Sequence, residues 1–347
     1  MARVSAGDGS GGRGWLRSRV AAERYAWGVV GYNVLVIVWG AMVRATGSGA
    51  GCGNHWPLCN GQVIPVSPTL HTVIEFTHRA MVSGATFAVI GLLLVTFRAT
   101  SKGYAARLAA VVSGVLLLNE ALLGALLVKL GYVTGNQSLG RVVVLSVHLS
   151  NTLLLLAALT MTALLLRTGH RRGEVLGPRS RWSSADVGFV ALGLLATLAV
   201  GVSGSLAALG DTLFPAASLR AAVEADFAAG SPWLIRLRWV HPASAAVAAV
   251  FVLWVLRKAW GRRDWTGRAA RLVAGLLAAQ FVLGIADVLL LAPVWMQLLH
   301  LLGADLYWVA LVSLSAGTVM GRREEIATGP GVEAEPKRWQ EAEAVAR

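Results

Sequence analysis

The chain has 347 residues, of which 56% are hydrophobic and only 14% charged, and its mean hydropathy is +0.62. This composition excludes a soluble globular protein, because so many apolar side chains would leave a large apolar surface facing water. The net charge of +13 does not indicate a nucleic-acid-binding protein, since the basic residues lie in short segments between long apolar runs. The sequence therefore predicts an all-α, polytopic protein of the lipid bilayer.

Eight apolar segments are long enough to cross a bilayer as helices. The segment 1–24 that precedes them is rich in Gly and Arg, and we expect it to be a disordered cytoplasmic arm and not a cleaved signal peptide. The spans are expected at 25–43, 72–97, 107–128, 142–166, 186–208, 233–256, 269–291 and 294–320.

The distribution of Lys and Arg predicts the orientation of the chain in the membrane. With a cytoplasmic N-terminus, 24 of the 31 Lys and Arg residues fall in cytoplasmic segments, six fall outside, and Arg79 lies within the second span. Cytoplasmic loops of membrane proteins carry such an excess of positive residues. We therefore expect a multi-pass protein of the cell membrane with both termini in the cytoplasm and with long outer loops at 44–71 and 209–232.

The second group of four spans resembles the first. A long outer loop follows the first span of each group, and the stretch Glu120-Ala-Leu-Leu-Gly124 resembles Gln280-Phe-Val-Leu-Gly284. Because four is an even number, the two halves share one orientation, and we expect two four-helix bundles related by a pseudo-two-fold axis along the membrane normal. The expected divisions are the arm 1–24, the halves 25–170 and 186–320, the cytoplasmic linker 171–185 and the cytoplasmic tail 321–347.

Four histidines lie at one depth in the membrane, one on each even-numbered span. They are His78 and His148 in the first half and His241 and His300 in the second, each ~9–12 Å from the outer end of its span at 1.5 Å per residue. A His pair that faces across an apolar bundle suits the axial ligation of haem iron. The alternative is hydrogen bonding between helices. Since no span carries two histidines, the pattern favours two porphyrin sites side by side over two haems stacked across the bilayer.

The second span also carries Glu75 and Arg79 close to His78. Residues three and four apart share one face of a helix, so these three side chains are expected to point the same way. Ionisable groups at membrane depth cost about 3 kcal/mol on insertion scales unless they are paired or bind a metal, so they mark a candidate site. Glu75 is a carboxylate one turn from His78 and is suited to proton transfer. The alternative is an interfacial ion pair of Glu75 with Arg79, with His78 as a polar filler.

Cys52 and Cys59 are the only cysteines of the chain and lie in the first long outer loop. On the oxidising side of the membrane, a disulfide between them is the expected outcome. Closing this loop stabilises the fold by roughly 2–3 kcal/mol in the chain-entropy model. Two roles stay open. A structural link is favoured, and a redox-active pair that exchanges electrons with a nearby porphyrin is the alternative.

Three motifs in this order resemble the haem A synthase family, over about residues 25–320. The histidines of the fourth and eighth spans complete the pattern. The motifs are Arg44-Ala-Thr-Gly-Ser-Gly49, the Cys52–Cys59 loop with Trp56-Pro-Leu-Cys-Asn-Gly61, and Glu75-x-x-His78-Arg79.

The resemblance implies an oxidoreductase that converts haem O into haem A for cytochrome oxidase. A peripheral methyl group of the substrate would be hydroxylated successively to a formyl group, with loss of water. The implied partners are haem O as substrate, a haem O synthase and an electron donor that the sequence does not identify. The implied site residues are His241 and His300 for a haem b cofactor, His78, His148 and Arg79 for the substrate haem, Glu75 for catalysis, and the Cys52–Cys59 pair.

Two other classes of function are weighed against this enzyme. One is a di-haem b membrane protein that transfers electrons and modifies no haem, and the other is a porphyrin or small-molecule transporter with repeated halves. Glu75 beside His78 favours the enzyme over the electron carrier. Four histidines at one depth disfavour the transporter.

Overall fold

The structure is a computed structural model that describes residues 18–171 and 183–320. Within these ranges the regular elements are helices, and eight of them are long and apolar enough to cross a membrane, which confirms the predicted fold class. The spanning helices are Arg19–Ala45, Leu70–Ala99, Ala105–Lys129, Leu139–Thr168, Ser184–Leu213, Trp233–Ala259, Trp265–Leu289 and Val294–Val319.

The first span begins at Arg19, six residues before the expected start at residue 25. Ser18 determines this start, because its side-chain oxygen accepts a hydrogen bond from the N–H of Ala21, one of the donors that the first turn leaves without a helical partner. The last six residues of the predicted N-terminal arm are therefore helical. The remainder of that arm, most of the predicted linker and the predicted tail lie outside the described residues.

The seventh span ends at Leu289, two residues before the expected boundary at residue 291. Leu291 and Ala292 follow with φ values of +62° and +51°, and the eighth span begins directly after Pro293. The residue before a proline is kept out of the helical region by steric contact with the proline ring. A tight turn therefore separates the two spans, and the backbone strain falls on two residues outside both helices.

The sixth span consists of two helical pieces, Trp233–Arg236 and Val240–Ala259. Between them the backbone N–H groups of residues 237, 238 and 240 bond to carbonyls three residues earlier, which is the tighter 3₁₀ pattern. Pro242 lies in the first turn of the longer piece, where its missing N–H breaks no helical hydrogen bond. This local change of winding places His241 at the very start of a helix.

Spans that follow each other in the chain pack as pairs, the first on the second, the third on the fourth, and likewise in the second half. The halves meet along the first, fourth, fifth and eighth spans. Leu156 and Leu159 of the fourth span and Leu311 of the eighth are buried in one apolar cluster, and the indole of Trp308 donates to the carbonyl of Leu153 at 2.8 Å. One continuous core therefore holds the two bundles together.

Arg44 connects the two halves at the end of the membrane where the Cys52–Cys59 loop lies, here named the disulfide side. Its guanidinium donates to the carbonyl of Ala208 at 2.8 Å, to the hydroxyl of Thr212 at 3.0 Å and to Oε1 of Gln297 at 3.0 Å. These acceptors belong to the fifth and eighth spans. A charge from the first half is thus satisfied by groups of the second.

Candidate functional site

The disulfide between Cys52 and Cys59 is present, as predicted, and the backbone of its first cysteine contacts Glu75. The Glu75 side chain is buried, with only 3% of the residue exposed. Its Oε2 accepts the backbone N–H of Cys52 at 2.8 Å, and its Oε1 accepts the Nε–H of Arg79 at 3.2 Å. The ion pair of Glu75 with Arg79 is therefore present. No hydrogen bond between described residues joins Glu75 to His78.

Arg79 holds the disulfide loop against the second span. Besides its ion pair with Glu75, the guanidinium donates to the backbone carbonyls of His55 at 3.1 Å and Leu58 at 2.5 Å. Thr72, two turns earlier on the same helix, donates to the carbonyl of Gly51 at 3.0 Å. Arg79 thus bonds to the protein itself, and its role toward a substrate stays a prediction.

His78 lies in the membrane part of the second span with an unsatisfied ring nitrogen. Its Nδ1 is buried and has no hydrogen-bond partner among the described residues. The ring lies against Gly40 of the first span. Buried polar atoms without partners are rare in folded proteins, and each calls for a ligand or a functional reason.

His148 is hydrogen-bonded to Glu120, which the sequence analysis did not place in the site. Nδ1 of His148 lies 3.0 Å from Oε1 of Glu120, and because a carboxylate only accepts, the proton is on Nδ1. Asn151 donates to Oε2 of Glu120 at 2.6 Å, and the hydroxyl of Thr152 donates to Oε1. This arrangement fixes the ring and leaves the lone pair of its Nε2 for a ligand.

His241 and His300 face each other in the second half. Their ring centroids are 6.2 Å apart and their planes lie at 83°. Nδ1 of His241 donates to the carbonyl of Val200 at 3.2 Å, so the lone pair is on Nε2. A metal ion bonds to imidazole nitrogen at about 2 Å, so His241 and His300 are close enough that both would hold the same metal ion.

Each of the four histidines lies against a glycine of the preceding span. A Cβ built on these glycines would lie within van der Waals distance of the imidazole or closer, so the missing side chain is what lets the ring approach the neighbouring helix. The same contact in four helix pairs agrees with the predicted duplication. The pairs, with the shortest distance from the built Cβ to the ring, are Gly40–His78 at 3.0 Å, Gly124–His148 at 3.6 Å, Gly204–His241 at 2.8 Å and Gly284–His300 at 3.4 Å.

Glu120 and the four glycines are the site residues that the sequence analysis missed. A signal for three of them, Glu120, Gly124 and Gly284, was present, because the repeat of Glu120…Gly124 as Gln280…Gly284 marks equivalent positions in the third and seventh spans. The repeat does not say which neighbouring helix these positions face. Only the rotation of each helix about its axis supplies that information.

Comparison with known proteins places this architecture in a family. The family model for cytochrome oxidase assembly proteins, COX15-CtaA, matches residues 23–312. The chain belongs to the COX15-CtaA family. The matched part of this COX15-CtaA protein includes the disulfide loop, Glu75, Glu120 and all four histidines of the membrane site.

Relatives of this COX15-CtaA protein carry two different names. A protein of Thermus thermophilus named protohaem IX farnesyltransferase is 44% identical over 320 residues, 91% of this chain and 51% of the relative. Haem A synthases are 32% identical over 148 residues in an Exiguobacterium species, and 34% identical over 158 residues in Alkalihalophilus pseudofirmus. These matches cover 43% and 45% of this chain and 46% and 50% of the relatives. The chain thus spans about half the length of the Thermus relative.

Proposed function

We propose that this protein is a haem A synthase, which oxidises a peripheral methyl group of haem O to a formyl group. The observation that carries the proposal is the His241–His300 pair, with ring centroids 6.2 Å apart, in a chain of the COX15-CtaA family. Two successive hydroxylations would convert the methyl group to a hydroxymethyl group and then to a gem-diol. Each would take one oxygen atom from dioxygen, while two electrons from a donor and two protons reduce the other oxygen atom to water. The gem-diol loses water to give the formyl group.

The second half is proposed to hold haem b between His241 and His300. Each ring lies against a glycine of the preceding span. Nδ1 of His241 contacts two uncharged groups, the Val200 carbonyl and, at 3.4 Å, the Ser203 hydroxyl. When bound, such a haem stores and transfers single electrons. The protein residues orient the two imidazoles.

The first half is proposed to bind the substrate haem at His78 and His148, with Arg79 near its edge and Glu75 as the group that moves a proton. The unsatisfied Nδ1 of His78 supports this placement, because it leaves a buried imidazole free to take up a ligand. The hydrogen bond from the Cys52 N–H to Glu75 links the carboxylate to the disulfide. That contact is compatible with a structural disulfide and with one that exchanges electrons near the substrate.

The proposed setting is the cell membrane, with both termini in the cytoplasm and the disulfide side outside. A haem O synthase is the proposed supplier of substrate, and a further protein is required as electron donor. The name of the Thermus relative is relevant here, because a farnesyltransferase acting on protohaem makes the farnesylated haem that this reaction consumes. About half of that relative has no counterpart in this chain, and we assign the farnesyl transfer to that half.

A di-haem electron-transfer protein is the second candidate. It is favoured by one observation, the engagement of the Glu75 carboxylate by Arg79 and by the Cys52 N–H, which gives Glu75 a complete structural role without any chemistry. Such a protein would bind haem in both halves and release haem O unchanged.

Co-expression with a haem O synthase, in a host without its own haem A synthase, tests the proposal. Haems are extracted from the membranes and separated by chromatography. We expect haem A with the unaltered chain and with His55→Ala, a control in the disulfide loop, and a loss of bound haem b with His241→Ala or His300→Ala. Haem O alone, together with full haem b occupancy, would favour the electron carrier.

A further inference from the structure

The carboxylate of Glu120 lies inside the membrane region without a Lys or Arg partner among the described residues. Its side chain is only 16% exposed, and no Lys or Arg within residues 18–171 and 183–320 forms a salt bridge with it. Instead it accepts hydrogen bonds from His148, Asn151 and Thr152. Asn151 is itself held in place by Asn119, which donates to its side-chain oxygen at 2.8 Å. An ionisable group at this depth is costly unless it is paired or serves a function. Here the partners of Glu120 are His148 itself and two residues within one helical turn of it.

The second half offers an internal comparison, because the equivalent positions carry different residues. Gln280 takes the place of Glu120, four residues before the glycine that lies against the histidine. With its amide oriented to satisfy both neighbours, Gln280 donates to the backbone carbonyl of His300 and accepts the N–H of Ala304, each at 3.2 Å. It therefore bonds to the backbone of the eighth span and not to the imidazole.

The two other members of the cluster are also absent from the second half. Asn151 and Thr152 lie three and four residues after His148, where the second half has Gly303 and Ala304 after His300. Neither of these side chains can donate a hydrogen bond. The two halves thus differ at three equivalent positions. As a result, at these positions only the first half has a carboxylate that accepts hydrogen bonds from the histidine and from two neighbouring side chains.

We propose that Glu120 is a positioning residue that makes His148 an oriented, electron-rich ligand and so distinguishes the first-half site from the second. The inference rests on the proposed function, because it assigns the porphyrin ligated by His148 to the first half. A ring N–H donated to a carboxylate fixes the tautomer, restrains the ring and raises the basicity of the other nitrogen. His300, the equivalent histidine of the second half, has no such carboxylate, because Gln280 bonds to the backbone. The other second-half histidine, His241, donates to a carbonyl, and a hydrogen bond to an uncharged acceptor is weaker than one to a carboxylate.

The consequence is a functional asymmetry between two sites with the same His ligands. A more basic axial nitrogen stabilises the oxidised metal, so a haem ligated by His148 should have a more negative midpoint potential than the same haem with a neutral partner on that histidine. This favours oxidative chemistry in the first half and electron storage in the second. Asn151 and Thr152 hold the carboxylate in place for this role.

The first test needs no haem. The ligand-free chain is labelled with ¹⁵N in histidine, and the His148 ring is assigned by comparison with His148→Ala. We expect the proton on Nδ1 in the unaltered chain and in Glu120→Gln, whose amide oxygen still accepts, but a mixture of tautomers in Glu120→Leu. An unchanged tautomer in Glu120→Leu would overturn the positioning role.

The second test measures protohaem IX binding and the midpoint potential in a His241→Ala/His300→Ala background, which leaves only the first-half ligands. Glu120→Leu should bind protohaem about tenfold to a hundredfold more weakly. Glu120→Gln should bind it with a more positive midpoint potential, since the charge is lost while the hydrogen bond is kept. Gln280→Glu is the matched control and should leave both quantities unchanged.

The outcomes separate this inference from the proposed function. If the background chain binds no protohaem, the porphyrin site of the first half is wrong, whereas the ¹⁵N measurement still decides whether Glu120 orients His148. If the background chain binds protohaem and both Glu120 variants match it in affinity and potential, the inference is overturned and the proposed function is not.

Discussion

Gly204 lies so close to His241 that a Cβ at this glycine would be 2.8 Å from Cε1 of the imidazole. Real Cβ atoms essentially never approach another heavy atom so closely, so any side chain here must displace the ring. In the equivalent helix pair, a Cβ at Gly284 would be 3.4 Å from the His300 ring, which is ordinary contact. The two glycines therefore differ in how strictly they are required.

Replacing Gly204 by Ala should weaken haem b binding in the second half about tenfold, because a displaced ligand costs affinity as much as a lost orienting group. Replacing Gly284 by Ala should have a much smaller effect and is the matched control. The measurement is haem b bound per protein, with the absorption spectrum as a check on ligation. Equal occupancy in the two variants would contradict the claim that Gly204 positions His241.

The spans and the disulfide could be predicted because their signals are local. Run length and hydropathy define a span, and Cys52 and Cys59 had no other partner in the chain. The common depth of the four histidines stays a prediction, which rests on the rise per residue of a helix. The contact of Glu120 with His148 could not be predicted in this way, because it joins two helices whose rotations are set by packing along their whole length. The turn at Leu291 and Ala292 was missed for a related reason, since apolar residues there continue the hydropathy of the span.

The disulfide should stabilise the protein whether or not it is redox-active. Replacing both Cys52 and Cys59 by Ala removes a loop restraint of roughly 2–3 kcal/mol in the chain-entropy model, so the thermal unfolding temperature in detergent should fall. Haem A yield, measured below that temperature, distinguishes the two roles. A purely structural disulfide leaves the yield intact in the folded fraction, whereas a redox-active one abolishes it.

Arg44 should contribute strongly to the contact between the halves. Arg44→Ala leaves the Ala208 carbonyl, Thr212 and Gln297 without their charged donor, which we expect to cost about 3 kcal/mol of unfolding free energy. Arg220→Ala is the matched control. Its ion pair with Glu224 is on the surface, where the arginine side chain is 89% exposed, so its loss should be close to neutral. Comparable unfolding temperatures for the two variants would contradict the role of Arg44.

The orientation predicted from the Lys and Arg count can be tested with single cysteines. In a Cys52→Ser/Cys59→Ser background, Ala229→Cys is introduced in an exposed segment on the disulfide side and Ser101→Cys in an exposed turn at the opposite side. A membrane-impermeant maleimide added to intact cells should label the cysteine at 229 and should label that at 101 only after permeabilisation. The reverse pattern would invert the topology and place the disulfide in a reducing compartment.

Replacing Glu75 distinguishes most directly between the haem A synthase and the electron-transfer protein. Glu75→Gln keeps an oxygen that can accept the Cys52 N–H, so the disulfide loop should stay in place and haem b should stay bound in the second half. If Glu75 transfers a proton, the rate of haem A formation should fall about 100-fold or more. Thr72→Val is the control, because it weakens the tie between the loop and the second span while leaving the carboxylate. If Glu75→Gln and Thr72→Val lower haem A formation only in proportion to their loss of thermal stability, Glu75 is an anchor for the loop, and the proton must be moved by another group.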